Sequence, residues 1–421
     1  MKPKSEFTLN VLTLMTGTTL AQAIPIAVSP ILTRIYTPED FGLFALFIAI
    51  TGIFGSFVNG RYELAIMLPK KDEDALNIAA LGIILTTVIS IFLFIIILIF
   101  DDKISDLLES TEIRFWLYFV PLSVFLTGFW NVLNYFNIRK KQYLDISKAI
   151  ILKAIILSIL QVAIGFIKNG VTGLISGQLV SQLFANTKLF LNVIKDKALL
   201  SKISKLKIIA LAKKYKDFPK YNAPAAFSDT TALQLPSILL PKLYGLGNSG
   251  FFFLAHKIIA MPSGLIGKSI SQVFFQEISE KKNKKLKCWP LFIKTIKRLL
   301  FIGAPISVLI AILGPDLFEI VFGEEWRISG EVARFLSIVF LLTFVVSPVS
   351  SVFSVSGFIK RGAFWKYLYL FTSLSIYIFS MFFGLDFFEF IFLYTFHEVI
   401  LYIIYFYLIA KSVRQMDSEI I

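Results

Sequence analysis

Cysteine, histidine and charge are all scarce in this chain. The one cysteine, Cys288, excludes an internal disulfide. It sits in a lysine-rich loop and reads as incidental. Two histidines, His256 and His397, are few for acid–base catalysis. The 421 residues contain no Cys/His ligand spacing, no glycine-rich phosphate loop and no Walker pattern. The acidic pairs Asp101–Asp102 and Glu324–Glu325 fall in short loops and read as solvated charge. The expectation is a protein that is not an enzyme and holds no metal or organic cofactor.

Only 17% of residues are charged, whereas 56% are hydrophobic; a soluble domain runs near about 25% and about 45–50%. Such a chain has too little polar surface to cover its own core and too much apolar content for disorder. Phenylalanine contributes 44 residues and the mean hydropathy is +0.76. What remains is an all-α integral membrane protein with many spans. A net charge of +14 would suit nucleic acid. The basic residues instead cluster between apolar runs, a topology signal, so no nucleic-acid partner is expected.

A helix needs about 20 apolar residues to cross a bilayer. Twelve runs qualify, near 9–33, 41–67, 75–100, 115–138, 149–167, 170–194, 221–243, 249–275, 291–313, 332–356, 363–383 and 387–410. They are too long for barrel strands. Alternate loops hold 25 basic residues in one set and six in the other, and the second set is acidic. Basic loops stay in the cytoplasm, so both termini are expected there, as an even span count requires. Ala21–Gln22–Ala23 resembles a signal-peptidase site, but the run continues past it and is read as a span. The segment 195–220 interleaves nine lysines with Leu and Ile. It reads as an amphipathic helix lying on anionic lipid. The expected division is therefore 1–194 as one lobe, 195–220 as linker and 221–421 as the other lobe.

The halves match at an offset of 208 residues: Ser29 with Ser237, Arg34 with Lys242, Tyr36 with Tyr244, Gly42 with Gly250, Phe44 with Phe252. Six spans per half give both halves one orientation, a parallel repeat of the kind transporters use. The first and seventh runs each hold two prolines five apart, Pro25/Pro30 and Pro236/Pro241. Proline removes a helical hydrogen bond, so these four are candidate hinges. The same runs are polar, with Gln22 and Gln234 among their candidate cavity-lining groups.

Charge inside a bilayer is costly and usually faces a cavity or a partner. The candidates are Arg61, Glu63, Lys153, Lys188, Asp229, His256, Lys257, Lys268, His397 and Glu398. Lys257, Met261, Gly264 and Lys268 fall at i, i+4, i+7 and i+11, one face of an unbroken helix. Two lysines there would concentrate an anion such as pyrophosphate. On the same helical reading, Arg61 and Glu63 lie on opposite sides. Asp229 and Glu63 are candidates for coupling to H+ or Na+. His256 and His397 read as packing or hydrogen-bonding residues, and Glu398 as a residue without a functional role.

The stretch Thr33–Arg34–Ile35–Tyr36–Thr37–Pro38–Glu39–Asp40–Phe41–Gly42, followed by Gly60–Arg61–Tyr62–Glu63–Leu64–Ala65–Ile66–Met67–Leu68–Pro69, resembles the start of Wzx-type O-antigen flippases. These belong to the polysaccharide biosynthesis protein family of the MOP exporter superfamily, which includes the MATE drug exporters. The resemblance implies two six-helix lobes facing each other in a V. It implies alternating access, with spans one, two, seven and eight lining a cationic cavity. The implied substrate is an undecaprenyl-pyrophosphate-linked oligosaccharide, moved to the periplasmic leaflet of the bacterial inner membrane. Of the charged residues, only Arg61 and Glu63 carry over by motif. The implied setting is lipopolysaccharide or other polysaccharide biosynthesis, beside a polymerase and a chain-length regulator, with the protein itself a monomer. Alternatives are a MATE-like multidrug or ion antiporter, a membrane polymerase of the same pathway, and a scaffold.

Overall fold

Lipid favours segments that close their own backbone hydrogen bonds and turn apolar side chains outward. A computed structural model describes the backbone of residues 6–168 and 170–418, and their side chains apart from 6–15, 265, 268 and 359. Among the described residues there is no strand. The long helices are α1 (Glu6–Ile35), α2 (Pro38–Gly55), α3 (Asp72–Leu107), α4 (Val120–Arg139), α5 (Tyr143–Ile167), α6 (Thr172–Ile194), α7 (Lys205–Lys214) and α8 (Ala223–Pro262). They are followed by α9 (Lys268–Asn283), α10 (Trp289–Phe322), α11 (Arg327–Val346), α12 (Ile359–Phe383) and α13 (Phe387–Ser418).

Large apolar side chains point outward: Ile167 is 85% exposed, Phe301 83% and Phe382 82%. Water would not tolerate such a surface, and lipid does. Among the described residues, eight helices are long and apolar enough to cross a membrane, so the chain is an all-α, multi-pass membrane protein. Helices α1, α6, α8 and α9 are not among the eight; α6 and α8 carry many of the amide and hydroxyl side chains of their halves.

Packing groups the chain into two compact units, Met1–Gly247 and Asn248–Ile421. The boundary falls within α8, whereas the repeat register divides the chain at 195–220. Packing and register are different criteria, and the first half of α8 packs with unit one.

In unit one, α1 lies against α5, α5 against α6, and α4 against α3, α2 and α6. The motif at 33–42 builds the corner between α1 and α2. Tyr36 Oη donates to the Gln161 carbonyl at 2.6 Å. Thr37 caps α2 in a capping box with Asp40, and Pro38 occupies the first turn, where its missing N–H costs nothing. The repeat places Gly245 at the position of Thr37, and there α8 breaks (φ 82°, ψ 166°), a conformation that suits glycine. Arg114 Nε reaches Asp101 Oδ2 at 2.8 Å, as does Tyr118 Oη. Asp101 is thus a buried, paired carboxylate rather than solvated charge.

The linker also departs from expectation. Leu211 of α7 is buried against a core that includes Tyr62, Ile66, Ile78 and Phe136. Tyr62 Oη donates to Ala212 O at 3.0 Å, Ser204 N donates to Asn77 Oδ1 at 2.8 Å, and Lys207 pairs with Glu73 at 2.8 Å. One edge of the helix is therefore docked on unit one, while Ile203, Leu206 and Ile209 stay exposed beside the lysines.

In unit two, α10 packs on α11 and α13 packs on α11 and α12. The α10–α11 contact needs glycine: a Cβ on Gly330 would lie 2.5 Å from Pro315 Cα.

Candidate functional site

The second helix of unit one stops at Gly55 and resumes as a short turn, Tyr62–Ala65. Between them Gly60 (φ 59°) and Arg61 (φ 61°, ψ 14°) both adopt the left-handed region. For arginine that conformation costs roughly 1–2 kcal/mol and must be held by its surroundings. Asn59 does the holding. Its Nδ2 donates to Thr86 Oγ1 at 2.7 Å and to Gly128 O at 3.0 Å, and Asn131 Nδ2 donates to its Oδ1 at 3.4 Å. One buried amide thus pins the bend to two helices, α3 and α4. Gly128 makes room: a Cβ there would lie 2.6 Å from Thr86 Cγ2.

The bend corrects the helical reading of Arg61 and Glu63. They are not on opposite sides. The left-handed pair turns the backbone, and Arg61 Nη1 lies 3.4 Å from Glu63 Oε1 and donates to Ser56 O at 3.3 Å. Glu63 is buried, while the Arg61 side chain is 29% exposed. Arg61 Nε and Glu63 Oε2 have no hydrogen-bond partner among the described residues. The guanidinium is thus positioned by one carboxylate yet keeps donor capacity, which is what an anion site requires.

Lys153 had no role in the sequence reading beyond its depth. It lies ten residues into α5, about 15 Å along the helix. Its Nζ donates to Gln182 Oε1, and among the described residues no carboxylate pairs with it. A lysine near the bilayer centre costs about 2.5–3.5 kcal/mol on the insertion scale, and a neutral amide offsets little of that. Arg61 and Lys153 are therefore two incompletely neutralised cations of unit one.

The remaining candidates of unit one are placed as follows. Gln22 is exposed on α1, and Asp229 is half-buried on α8. Gln234 Nε2 sits against Gly52 of α2, where a Cβ would come within 3.4 Å. The backbone of α1 and α8 stays helical through Pro25, Pro30, Pro236 and Pro241; the interruption in α8 is at Gly245. Pro30 cannot donate to the Ile26 carbonyl, and Ser29 Oγ does so instead at 2.6 Å.

In unit two, Lys257 is half-buried, with the Phe253 ring 5.8 Å from its Nζ, and no carboxylate pairs with it among the described residues. His256 is exposed and stacks on Phe252. The side chain of Lys268 lies outside the described residues. Its predicted alignment with Lys257 requires an unbroken α-helix, and a π-helical turn, Ser263–Gly267, intervenes. Beside that turn lies a cavity of about 240 Å³ lined by Ser263, Gly267, Ser271, Thr343, Ser347 and Pro348. Sequence reading also passed over Lys294, Lys297 and Arg298, which share one face of α10 and border an open groove with Ile270 and Phe301. Their 3–4 spacing was the available signal, hidden by the apolar run around them. Among the described residues, no cluster of three His, Cys, Asp or Glu that could hold a metal ion occurs.

Residues 31–331 match the family model described as polysaccharide biosynthesis protein. The lipopolysaccharide biosynthesis protein WzxC of Escherichia coli (strain K12) is 25% identical over 117 residues, 28% of this chain and 24% of WzxC. The match thus spans about a quarter of that relative. Among solved structures, an inward-facing multidrug resistance MATE family transporter of the MOP superfamily aligns over 96% of this chain and 95% of its own, with TM-score 0.65 and 16% identity. A MOP superfamily transporter from Pyrococcus furiosus, characterised by a reversed polarity of its binding pocket, aligns over 97% and 96%, with TM-score 0.63 and 15% identity. At these identities the likeness establishes the fold, that of the MATE and MOP transporters. Matched by the family model over most of its length and bearing the bent Gly60–Arg61 segment within that match, the chain belongs to the polysaccharide biosynthesis protein family.

Proposed function

We propose that the chain is a flippase that moves an undecaprenyl-pyrophosphate-linked oligosaccharide from the cytoplasmic to the periplasmic leaflet of the bacterial inner membrane. The observation that carries this reading is the set of incompletely neutralised cations at membrane depth: Arg61 and Lys153 in unit one, Lys257 in unit two. Each is costly to bury, and an anionic substrate would offset that cost. A pyrophosphate supplies several acceptor oxygens for them. Gln22 and Gln234 would meet the sugar, and the polyprenyl tail would stay in lipid. Family membership and the partial match to a lipopolysaccharide biosynthesis protein support the substrate class. Twelve crossings with cytoplasmic termini, a docked linker whose exposed Leu206 and lysines rest on anionic lipid, bending near the proline pairs, and a monomer beside a polymerase and a chain-length regulator complete the proposal. The drug-exporter alternative shares the fold, but cations at depth oppose a cationic cargo.

Gene deletion tests the reading. Lipid-linked oligosaccharide should build up on the cytoplasmic leaflet, with surface glycan lost, and a plasmid copy should restore both. Normal sidedness with altered drug accumulation would favour the exporter. Units that cross but stay unpolymerised would favour the polymerase.

A further inference from the structure

The carboxylate of Glu398 lies eleven residues into α13, about 16 Å along the helix, and is 2% exposed. The set of cations described above does not use it. His397 Nδ1 lies 3.4 Å from Glu398 Oε1, and His397 Nε2 lies 2.9 Å from Thr372 Oγ1. The Tyr369 side chain of α12 lies near the carboxylate. Glu398 Oε1 and His397 Nδ1 nevertheless have no hydrogen-bond partner among the described residues. An acid and an imidazole, both buried and both with open valence, face each other in the membrane interior.

A polar route reaches them. The Tyr402 side chain lies near Thr343 and Ser347. Those two residues line the 240 Å³ cavity beside the π turn. Its size admits water, and the hydroxyls of Ser263, Ser271, Thr343 and Ser347 line it together with Phe344 and Pro348. Tyr402 also lies close enough to Glu398 to interact with it.

Tyrosines make up most of the surroundings of the pair, and Lys366 of α12 stands one turn before Tyr369. Own-helix neighbours are His397, Tyr394 and Tyr402, and α12 contributes Tyr369 and Tyr377. From α8 comes His256, stacked on Phe252, whose ring abuts Tyr394. Helix α11 carries no charged residue after Arg334, and α10 none between Arg298 and Asp316. The α10 and Val352–Ser356 contacts with α13 are aromatic, Phe292 with Phe406 and Phe353 with Tyr405.

We propose that Glu398 and His397 form a proton-binding site in unit two, filled from the hydroxyl-lined cavity through Tyr402, and that its protonation is coupled to transport. A proton from cavity water adds to the dyad, forming an O–H bond on Glu398 or an N–H bond on His397, and leaves again to water on the opposite side. No oxidant or co-reactant is involved. The coupling rests on the flippase reading; the proton site itself does not.

The test uses the full-length protein in liposomes. Infrared difference spectra between acidic and alkaline buffer should show a protonated-carboxyl band that Glu398→Gln removes and His397→Gln shifts in midpoint. Tyr402→Phe should keep the band but slow its appearance. In the same liposomes, a gradient of one pH unit should move the steady-state distribution of a substrate coupled to one proton by about tenfold. With Glu398→Gln the distribution should ignore the gradient, while exchange without a gradient persists. A band that survives Glu398→Gln overturns the site, and transport that follows Na+ at fixed pH overturns the coupling. A band lost in Glu398→Gln without any movement of lipid-linked oligosaccharide keeps the site and removes the flippase reading instead.

Discussion

Both units interrupt a helix at the same place in the repeat, and they do it differently. At an offset of 208, Gly55 corresponds to Ser263, the residues at which α2 ends and the π turn begins. Unit one makes the break with two left-handed residues and pins it with Asn59. Unit two makes it with a π turn beside a cavity, and Ser263 Oγ has no partner among the described residues. The contrast teaches that one repeat has yielded two devices: a rigid seat that aims a cation, and a looser turn with space for water next to a titratable pair.

The largest effect should come from removing the pin. Asn59→Leu strands Asn131 and the Gly128 carbonyl and releases Arg61, at a cost of about 2–4 kcal/mol. Thermal unfolding in detergent should show it as a lowered midpoint, with transport lost. An unchanged midpoint would mean the break is held elsewhere.

Arg61→Ala should cut transport at least about tenfold, the equivalent of roughly 1.4 kcal/mol, at unchanged protein level. Lys153→Met should lower transport similarly but raise stability, because an incompletely neutralised cation leaves the membrane interior. If Lys153→Met instead destabilises the protein, Lys153 is a packing residue and not a substrate contact. Ser263→Ala should lie within about 0.5 kcal/mol of wild type, because its hydroxyl has no hydrogen-bond partner among the described residues. A loss as large as that of Asn59→Leu would erase the contrast between the two breaks.

The smallest effect concerns Cys288, which is fully buried at the start of α10, where its backbone N–H donates to Asp417 at 2.7 Å. Burial pushes its thiol up, so less thiolate is present at neutral pH and maleimide labelling should be slow. Labelling should quicken as pH rises or as the loop opens. Fast labelling at neutral pH would show the end of α13 undocked.

The apolar runs, the repeat and the family motif were legible because each is a pattern in residue type and period. Reading Arg61 and Glu63 correctly was not possible from period alone, since two positive φ values overrule helical geometry and only one of them falls on glycine. The face shared by Lys257 and Lys268 assumes an unbroken helix, and the π turn between them carries no clear sequence mark. His397 reads as a packing or hydrogen-bonding residue because it is a lone histidine, and Glu398 as a residue without a functional role. The contact of His397 with Thr372 and the route through Tyr402 depend on α12 and α11 and become visible only when those helices are assembled.

The most direct test of the central claim is reconstitution. Full-length protein in liposomes, with polyprenyl-pyrophosphate-linked oligosaccharide confined to one leaflet, should expose the sugar to an impermeant glycosidase on the other side. Arg61→Ala and Lys257→Ala should each slow that exposure about tenfold or more. Equal rates for wild type, both variants and protein-free liposomes would contradict the account.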